Sequence, residues 1–344
     1  MKNGNTGPHS HVENREREGR MSVRGGWLGR LALVGLTLVG IAALAVSGSA
    51  FGKGAASCGT VIINEQSWSG STANTYVAKY VLEHSLGCKV KLTQIAEIPV
   101  YEALASGKTD ALLEDWQHVD QYKQYVTKQH TAVLAGSNGV NGHIFWAIPD
   151  YLMKAHPEFK TWKGLKGKES LFKSPESGSQ GMFLGGDPSY VQKDQQLIKA
   201  LGLNFKFVSV GAEPAQVARW TQLVKQKKPV LFYWYDPQYL NAVYDLVQVQ
   251  LPKRFPGCQD DEKKGGDPKK YACAYPSYRL DKVISGKFAK SGSPAVSVIK
   301  KFTWTSKDQN TVANLISGKK MKPDKAAETW VKANPGKVKA WLQG

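Results

Sequence analysis

The chain has 344 residues, of which 42% are hydrophobic and 22% charged, so it is long enough for one or two ordinary cores and lacks the composition of a disordered protein. Its net charge of +18 comes from Lys and Arg residues spread mostly as single Lys or short Lys pairs, with no arginine-rich strip and no nucleic-acid-binding motif. We therefore predict no nucleic-acid partner.

The N-terminal segment has the pattern of an export signal. Several Arg residues precede an uncharged apolar stretch at 31–46, and small residues follow at 47–50. This stretch is short for a membrane-spanning helix, so a cleaved signal and a retained membrane anchor both stay open. We expect residues 1–57 to form the signal or anchor with its linker, which places the rest of the chain on the periplasmic or cell-surface side of the membrane.

An even number of cysteines in an exported protein predicts disulfides, and four cysteines allow three pairings. We predict Cys58–Cys88, because both residues stand at the starts of predicted parallel strands, and Cys258–Cys273, which closes a polar loop. A competing interpretation is that Cys58, preceded by small residues, is a lipid attachment site.

The first predicted elements alternate between strand and helix. Strands are predicted at 60–64, 88–93 and 111–114, with a helix capped by Ser71 or Thr72 and ended by Gly87, and a short helix at 99–106. This order predicts parallel strands with helical crossovers, and ligands of such sheets bind outside the carboxyl ends of the strands. Trp68 and Trp116 both follow such ends.

The pattern repeats after a glycine-rich segment at 136–142, which we predict to be a turn. A strand is predicted at 143–148, a helix from Asp187 to Ala200, a strand at 205–210, a helix at 214–225, and an apolar strand at 230–233 that ends in Trp234. Residues 243–251 are expected to return the chain to the first lobe.

The C-terminal part is predicted to be helical. Helices are expected to start at Pro294, at the Ser306 capping pattern and at Pro323. Trp304, Trp330 and Trp341 fall in or beside these helices and are interpreted as packing residues.

No catalytic motif and no metal-ligand spacing is present, so we predict a binding protein without catalysis, cofactor or metal. Aromatic rings at three strand ends, with carboxylates such as Asp115 nearby, suit a compact cation that has no N–H groups to donate. The alternative is that the three tryptophans are core residues.

These residues resemble the substrate-binding proteins of ABC importers for quaternary amines such as glycine betaine, choline and carnitine. The resemblance spans residues 60–344 and rests on Ser67-Trp68 before a helix, on the segment from Gly107 to Trp116, on the crossing from Gly139 to Tyr151, and on Phe232-Tyr-Trp234 followed by Pro237. It implies an α/β, two-lobed type II periplasmic-binding-protein-like fold, whose two α/β lobes are joined by a two-segment hinge. The expected domains are 58–143 for the first part of lobe 1, 144–242 for lobe 2, and 243–344 for the second part of lobe 1.

The resemblance also implies a function: capture of a quaternary-ammonium osmolyte for a membrane permease and ATPase. The implied ligand-binding residues are Trp68, Trp116, Trp234, Phe145, Trp146, Tyr235, Asp115 and Gln238. Alignment on Pro237 places Tyr235 in the cage instead of Trp234, and Gln238 substitutes for a family histidine that contacts the ligand carboxylate. A receptor for another small cation or amino acid, a sensor domain and a secreted enzyme are the alternatives.

Overall fold

The computed structural model of the protein describes residues 58–259 and 268–343. The predicted export segment lies outside these residues. Within them, no helix combines the length and apolarity needed to cross a bilayer.

Nine strands join in one mixed sheet. Their bounds are β1 Thr60–Asn64, β2 Lys89–Thr93, β3 Ala111–Asp115, β4 Ala132–Pro149, β5 Gly181–Gly185, β6 Phe205–Ser209, β7 Leu231–Asp236, β8 Leu246–Val249 and β9 Ser277–Ser285. The order is β2-β1-β3-β9-β4-β7-β5-β6, with β8 paired to β4.

The α-helices cover both faces of this sheet. They are α1 Ser69–Leu86, α2 Val100–Ser106, α3 Val119–Gln121, α4 Asp150–Ala155, α5 Trp162–Leu165, α6 Asp194–Ala200, α7 Glu213–Lys225, α8 Gly286–Ala289, α9 Pro294–Lys301, α10 Ser306–Ala313, α11 Pro323–Ala333 and α12 Pro335–Leu342.

The sheet consists of two parallel units joined by antiparallel strands. Strands β2, β1 and β3 are parallel, as are β6, β5 and β7. Between them lie β9 and β4, which pair antiparallel to each other and to the flanking units. The predicted β-α-β-α-β pattern and its repetition are thus confirmed.

Strand β4 runs through both halves of the molecule. Its first part pairs with β9, and at His143 it passes to β7, because His143 is opposite both Ser277 and Asp236. The predicted turn at 136–142 is wrong: these residues remain in the strand, with register shifts and with Gly136 and Gly139 at positive φ. Glycine accommodates such bulges, so a glycine-rich segment does not require the strand to end.

Two other boundaries differ from expectation. Helix α6 begins at Asp194, because Asp187 caps a turn instead: its Oδ1 accepts from the backbone N–H and the hydroxyl of Ser189 at 2.8 and 2.7 Å. Strand β8 pairs with the end of β4, and Gln250 bonds to the backbone of Lys160 and Trp162. Residues 246–250 therefore pack beside the second parallel unit, and β9 is the strand that returns to the first.

Both predicted disulfides, Cys58–Cys88 and Cys258–Cys273, are present. The first ties the start of β1 to the residue before β2. Because the sulfur of Cys58 is bonded to Cys88, it is not available for a lipid thioether, which excludes the competing interpretation of this residue.

The C-terminal tryptophans form the predicted packing cluster. The Trp330 ring lies 5.3 Å from Trp304 and 5.8 Å from Trp341, centroid to centroid, and all three side chains are buried. Their packing holds the C-terminal helices α11 and α12 together, which is a structural role.

Candidate functional site

A small pocket lies at the carboxyl ends of strands from both parallel units. Its cavity volume is about 20 Å³, which is room for about one water molecule. It is lined by Trp68, Glu97, Trp116, Tyr190, Val191, Tyr233 and Tyr235.

Four of the aromatic side chains meet edge to face. Trp68 and Tyr190 have ring centroids 5.4 Å apart and planes at 86°, and Trp116 and Tyr235 have centroids 5.5 Å apart and planes at 87°. In each pair the two rings are therefore nearly perpendicular and form adjacent walls of the pocket, like two sides of a box. Each pair joins one ring from the first parallel unit to one from the second.

The two tryptophans are anchored behind the pocket by one carboxylate. The indole N–H groups of Trp68 and Trp116 both donate to Oε1 of Glu114, at 2.7 and 3.1 Å. Burial raises the pKa of Glu114 to about 7, against the lowering effect of these two hydrogen bonds. Because both N–H groups are engaged by Glu114, neither points to a ligand.

Glu97 is the carboxylate that lines the pocket itself. It stands in the loop between β2 and α2, and its Oε2 lies 3.2 Å from Nε2 of His118. No lysine or arginine lines the pocket within the part of the chain that the structure describes. In that same part, no group of His, Cys, Asp or Glu side chains is arranged to hold a metal ion.

Hydrogen bonds beside the pocket connect the two parallel units. The hydroxyl oxygens of Ser67 and Tyr190 are 2.8 Å apart, and the backbone N–H of Glu213 donates to Tyr190 at 3.1 Å. The backbone N–H of Ser69, at the start of α1, donates to the Glu213 carboxylate at 3.0 Å, and the Tyr235 hydroxyl donates to the same group. Burial raises the pKa of Glu213.

Strand β7 divides its aromatic residues between two faces of the sheet. Tyr233 and Tyr235 face the pocket, whereas Trp234 packs on the other face against Trp220, at 5.2 Å, and donates its N–H to Asn241 at 2.6 Å. The expectation that Trp234 lines the cage is wrong, because successive residues of a strand point to opposite faces. Tyr235 occupies the place that alignment on Pro237 implies.

The two candidate residues on β4 also lie outside the pocket. Phe145 packs in the same core cluster as Trp234. Trp146 faces the pocket side of the sheet but is fully buried beside Phe183, and its N–H donates to Asp194 at 2.7 Å. Both are core residues.

Asp115 and Gln238 are engaged elsewhere as well. Strand β3 carries one extra residue relative to β9 between Leu112 and Asp115, and this bulge turns Asp115 toward α2, where it accepts from the Tyr101 hydroxyl at 2.6 Å. The side-chain amide of Gln238 donates to Ser69 Oγ and Glu213, each at 3.1 Å. Gln238 thus supports the connection between the two units and does not line the pocket.

Sequence reasoning missed four lining residues: Glu97, Tyr190, Val191 and Tyr233. Three of them stand in loops after β2 and β5, so their position after a strand end could have indicated them as pocket residues. Tyr233 was indicated by its spacing of two from Tyr235.

Comparison with known proteins gives a consistent result. The family described as the substrate binding domain of ABC-type glycine betaine transport systems matches residues 59–333. The trimethylamine N-oxide-binding protein of Pelagibacter ubique (strain HTCC1062) is 26% identical over 289 residues, which cover 80% of this chain and 88% of that protein.

Solved structures share the fold at low sequence identity. Lactococcal OpuAC, in a closed-liganded conformation complexed with glycine betaine, has 19% identity and a TM-score of 0.63, covering 83% of this chain and 99% of that one. ProX from Borrelia burgdorferi, a glycine betaine and L-proline-binding protein, has 20% identity and a TM-score of 0.66, covering 82% and 96%. An ABC-transporter choline binding protein in complex with choline has 18% identity and a TM-score of 0.66, covering 84% and 93%.

The predicted two-lobed, periplasmic-binding-protein-like α/β fold is thereby confirmed. The family match extends over most of the chain, so this protein belongs to the family of substrate-binding domains of ABC-type glycine betaine transport systems and is a substrate-binding component of an ABC transporter.

Proposed function

We propose that the protein holds a small quaternary-ammonium ligand in the pocket lined by Trp68, Trp116, Tyr190, Tyr233 and Tyr235. The observation that carries this proposal is the box of aromatic rings with a carboxylate, Glu97, in its wall. A methylated ammonium group has no N–H to donate, so ring faces and negative charge are the means left to bind it.

The energies are adequate for capture of a solute. One ring face contributes about 0.5 to 2 kcal/mol to cation binding, depending on how far it is desolvated. Several rings together with apolar contact therefore reach the roughly 8 kcal/mol of micromolar binding. The protein's large positive charge does not oppose this, since distant charges are screened beyond about 8 Å.

Among quaternary amines, we propose a preference for a cation such as choline over a zwitterion such as glycine betaine. A ligand carboxylate needs donors, whereas both indole N–H groups of the cage are bonded to Glu114, and the wall carries the Glu97 carboxylate. A choline hydroxyl, in contrast, can donate to that carboxylate, whose Oε2 also lies 3.2 Å from Nε2 of His118.

The pocket lies between the two parallel units, which supports an assignment of lobes around it. We propose that the first lobe comprises residues 58–143 and the C-terminal part from β9 onward, and the second the residues between. The chain passes between lobes in β4 and before β9, and closure about these two segments traps the ligand.

In the cell, the protein is proposed to act outside the cytoplasm and to hand its ligand to a permease and ATPase without changing it covalently. The two disulfides support an oxidising compartment. The N-terminal segment 1–57 supports export, as a cleaved signal or a membrane anchor.

Isothermal titration calorimetry of the exported part, residues 58–344, tests the ligand. We expect micromolar binding of choline and at least tenfold weaker binding of glycine betaine and carnitine, with proline as a ligand that lacks the trimethylammonium group. Tighter binding of glycine betaine than of choline contradicts the charge argument. No binding of any quaternary amine by the folded protein contradicts the cage.

A further inference from the structure

Glu114 contacts both tryptophan walls of the cage yet does not itself line the pocket. Its Oε1 accepts from Trp68 and Trp116, and its Oε2 accepts from the side-chain amide of Asn74 at 2.6 Å. The residue is fully buried, and three N–H groups converge on its two oxygens. One side chain therefore sets the orientation of two ring faces.

The backbone is adapted to bring Glu114 to this place. The bulge in β3 that turns Asp115 away toward α2 leaves Glu114 facing α1. Gly70, in the first turn of α1, lies close against it: a Cβ at Gly70 would be 3.0 Å from Oε2 of Glu114 and 2.4 Å from Nε2 of Gln309. The first turn of α1, which follows Trp68, thus rests directly on the carboxylate.

Orientation alone does not call for a charged group, because a glutamine oxygen also accepts hydrogen bonds. An ionised carboxylate adds two effects. Its hydrogen bonds to the indoles are charge-assisted, and its negative charge, held in a low-dielectric interior, attracts a cation placed on the other side of the rings. Glu97 and Glu213 add charge of the same sign nearby.

We propose that Glu114 is a positioning and specificity-determining residue, which fixes the Trp68 and Trp116 walls and supplies the negative charge behind them that makes the cage select cations over uncharged molecules of the same shape. This inference rests on the proposed binding of a quaternary amine. It extends that proposal by assigning the selectivity for charge to a residue that the ligand does not touch.

The test compares choline with 3,3-dimethylbutan-1-ol, in which carbon replaces the charged nitrogen. Affinities of both are measured at pH 8, where Glu114 is mostly ionised, by calorimetry or ligand competition for the wild type, Glu114→Gln and Glu114→Asp. We expect Glu114→Gln to lower choline affinity about tenfold and affinity for the neutral alcohol less than threefold. Glu114→Asp keeps the charge and should keep the wild-type ratio of the two affinities, even where both decrease.

Glu169→Gln is the matched control, because Glu169 is also a buried carboxylate but accepts from the Asn204 backbone N–H at 3.1 Å, away from the cage residues. It should leave the ratio unchanged. An equal loss of both ligands in Glu114→Gln shows a purely structural role and overturns the proposal, and so does choline affinity within twofold of the wild type. If the wild type itself binds no quaternary amine, the proposed function fails instead.

Should Glu114→Gln not fold, the ratio is measured between pH 8 and 5.5 in the Glu97→Gln, His118→Asn protein, which removes the pocket carboxylate and the imidazole 3.2 Å from it. Of the two carboxylates that raise the pKa of Glu114, Glu213 then remains, and uptake of a proton by Glu114 and Glu213 should lower the preference for choline several-fold. A ratio constant across this range overturns the proposal.

Discussion

Adjacent residues on strand β7 perform different tasks. Tyr235 is a wall of the pocket, and its neighbour Trp234 is fully buried in a core cluster with Trp220 and Phe232. An aromatic side chain thus lines the pocket at one position and fills the core at the next, according to the face of the sheet to which it points.

This division predicts two classes of tryptophan variant. Trp68→Ala and Trp116→Ala should each weaken binding of a quaternary amine by about 1 kcal/mol or more, and they should also lower stability, because both rings are buried and bonded to Glu114. Trp234→Ala should lower the free energy of unfolding by about 3–5 kcal/mol, because it leaves a cavity in the core, but should leave the affinity of the folded protein unchanged. Calorimetric titration and thermal melts separate these effects; a stable Trp234→Ala protein that has lost binding contradicts the assignment.

The buried acids predict opposite effects of pH on stability and on binding. Burial raises the pKa of both Glu114 and Asp194 to about 7, whereas an exposed carboxyl titrates near 4. The folded state therefore takes up protons before the unfolded chain does, and the destabilising cost of these two charges, nearly complete at pH 8, is relieved as pH falls toward 5.5.

We expect the ligand-free protein to melt at a higher temperature at pH 5.5 than at pH 8, and cation affinity to fall over the same range because Glu114 loses its charge. The other titratable groups around the cage are Glu97 with its neighbour His118, Glu213, and the hydroxyls of Tyr190, Tyr233 and Tyr235. Asp194→Asn should reduce the pH dependence of the melting temperature but leave that of binding. Affinity that rises on acidification contradicts this account.

At the scale of elements, a backbone N–H at the N-terminus of helix α1 finds its hydrogen-bond acceptor on a residue far away in the sequence. Its N-cap residue, Trp68, makes no side-chain capping bond, and the N–H of Ser69 donates instead to Glu213, at the start of α7. A carboxylate at a helix N-terminus satisfies an unpaired donor and is favoured by the helix dipole. Because α1 and α7 belong to different proposed lobes, this bond favours their approach.

Glu213→Ala should therefore weaken ligand binding by about 1–2 kcal/mol, mainly through faster ligand release. Stopped-flow measurement of tryptophan fluorescence gives the release rate. Glu176→Ala is the control, because Glu176 is a half-exposed partner of Arg219 on the same proposed lobe. Equal release rates in the two variants contradict a role of the α1–α7 contact in closure.

For the molecule as a whole, the two disulfides lie in different regions of the fold. Cys58–Cys88 lies at the edge of the first parallel unit. Cys258–Cys273 lies before β9, where residues 268–271 pack against α6 and the Tyr275 hydroxyl donates to Asp194 at 2.9 Å. Each disulfide closes a loop in the unfolded chain and so lowers the entropy of the unfolded state, which is the main source of disulfide stabilisation in the chain-entropy description.

We expect the Cys258→Ser, Cys273→Ser double variant to lose about 3 kcal/mol of stability, measured by denaturant unfolding, and to keep its affinity for the ligand. Neither cysteine lines the cage, so the two properties should separate. Loss of binding in a folded double variant indicates instead that the segment before β9 holds the pocket.

How far the sequence predicts this protein depends on the range of the interactions concerned. The α/β pattern, the parallel units and the glycine stops of α1 and α2 follow from local periodicity and backbone preference, and Trp68 and Trp116 follow from the rule that ligands bind at strand ends. The Cys58–Cys88 pairing also follows, since both cysteines stand at the starts of neighbouring strands, and Cys258 and Cys273 are the remaining two, which close one loop.

Tertiary structure decided the rest. A single extra residue in β3 turns Glu114 toward the cage and Asp115 away from it, and the alternation of β7 places Tyr235 rather than Trp234 in the pocket. Glu97 and Tyr190 reach the pocket from loops far apart in the chain. The local pattern specifies which residues stand at strand ends, but the face to which each one points depends on strand register and bulges, which arise from pairing between distant segments.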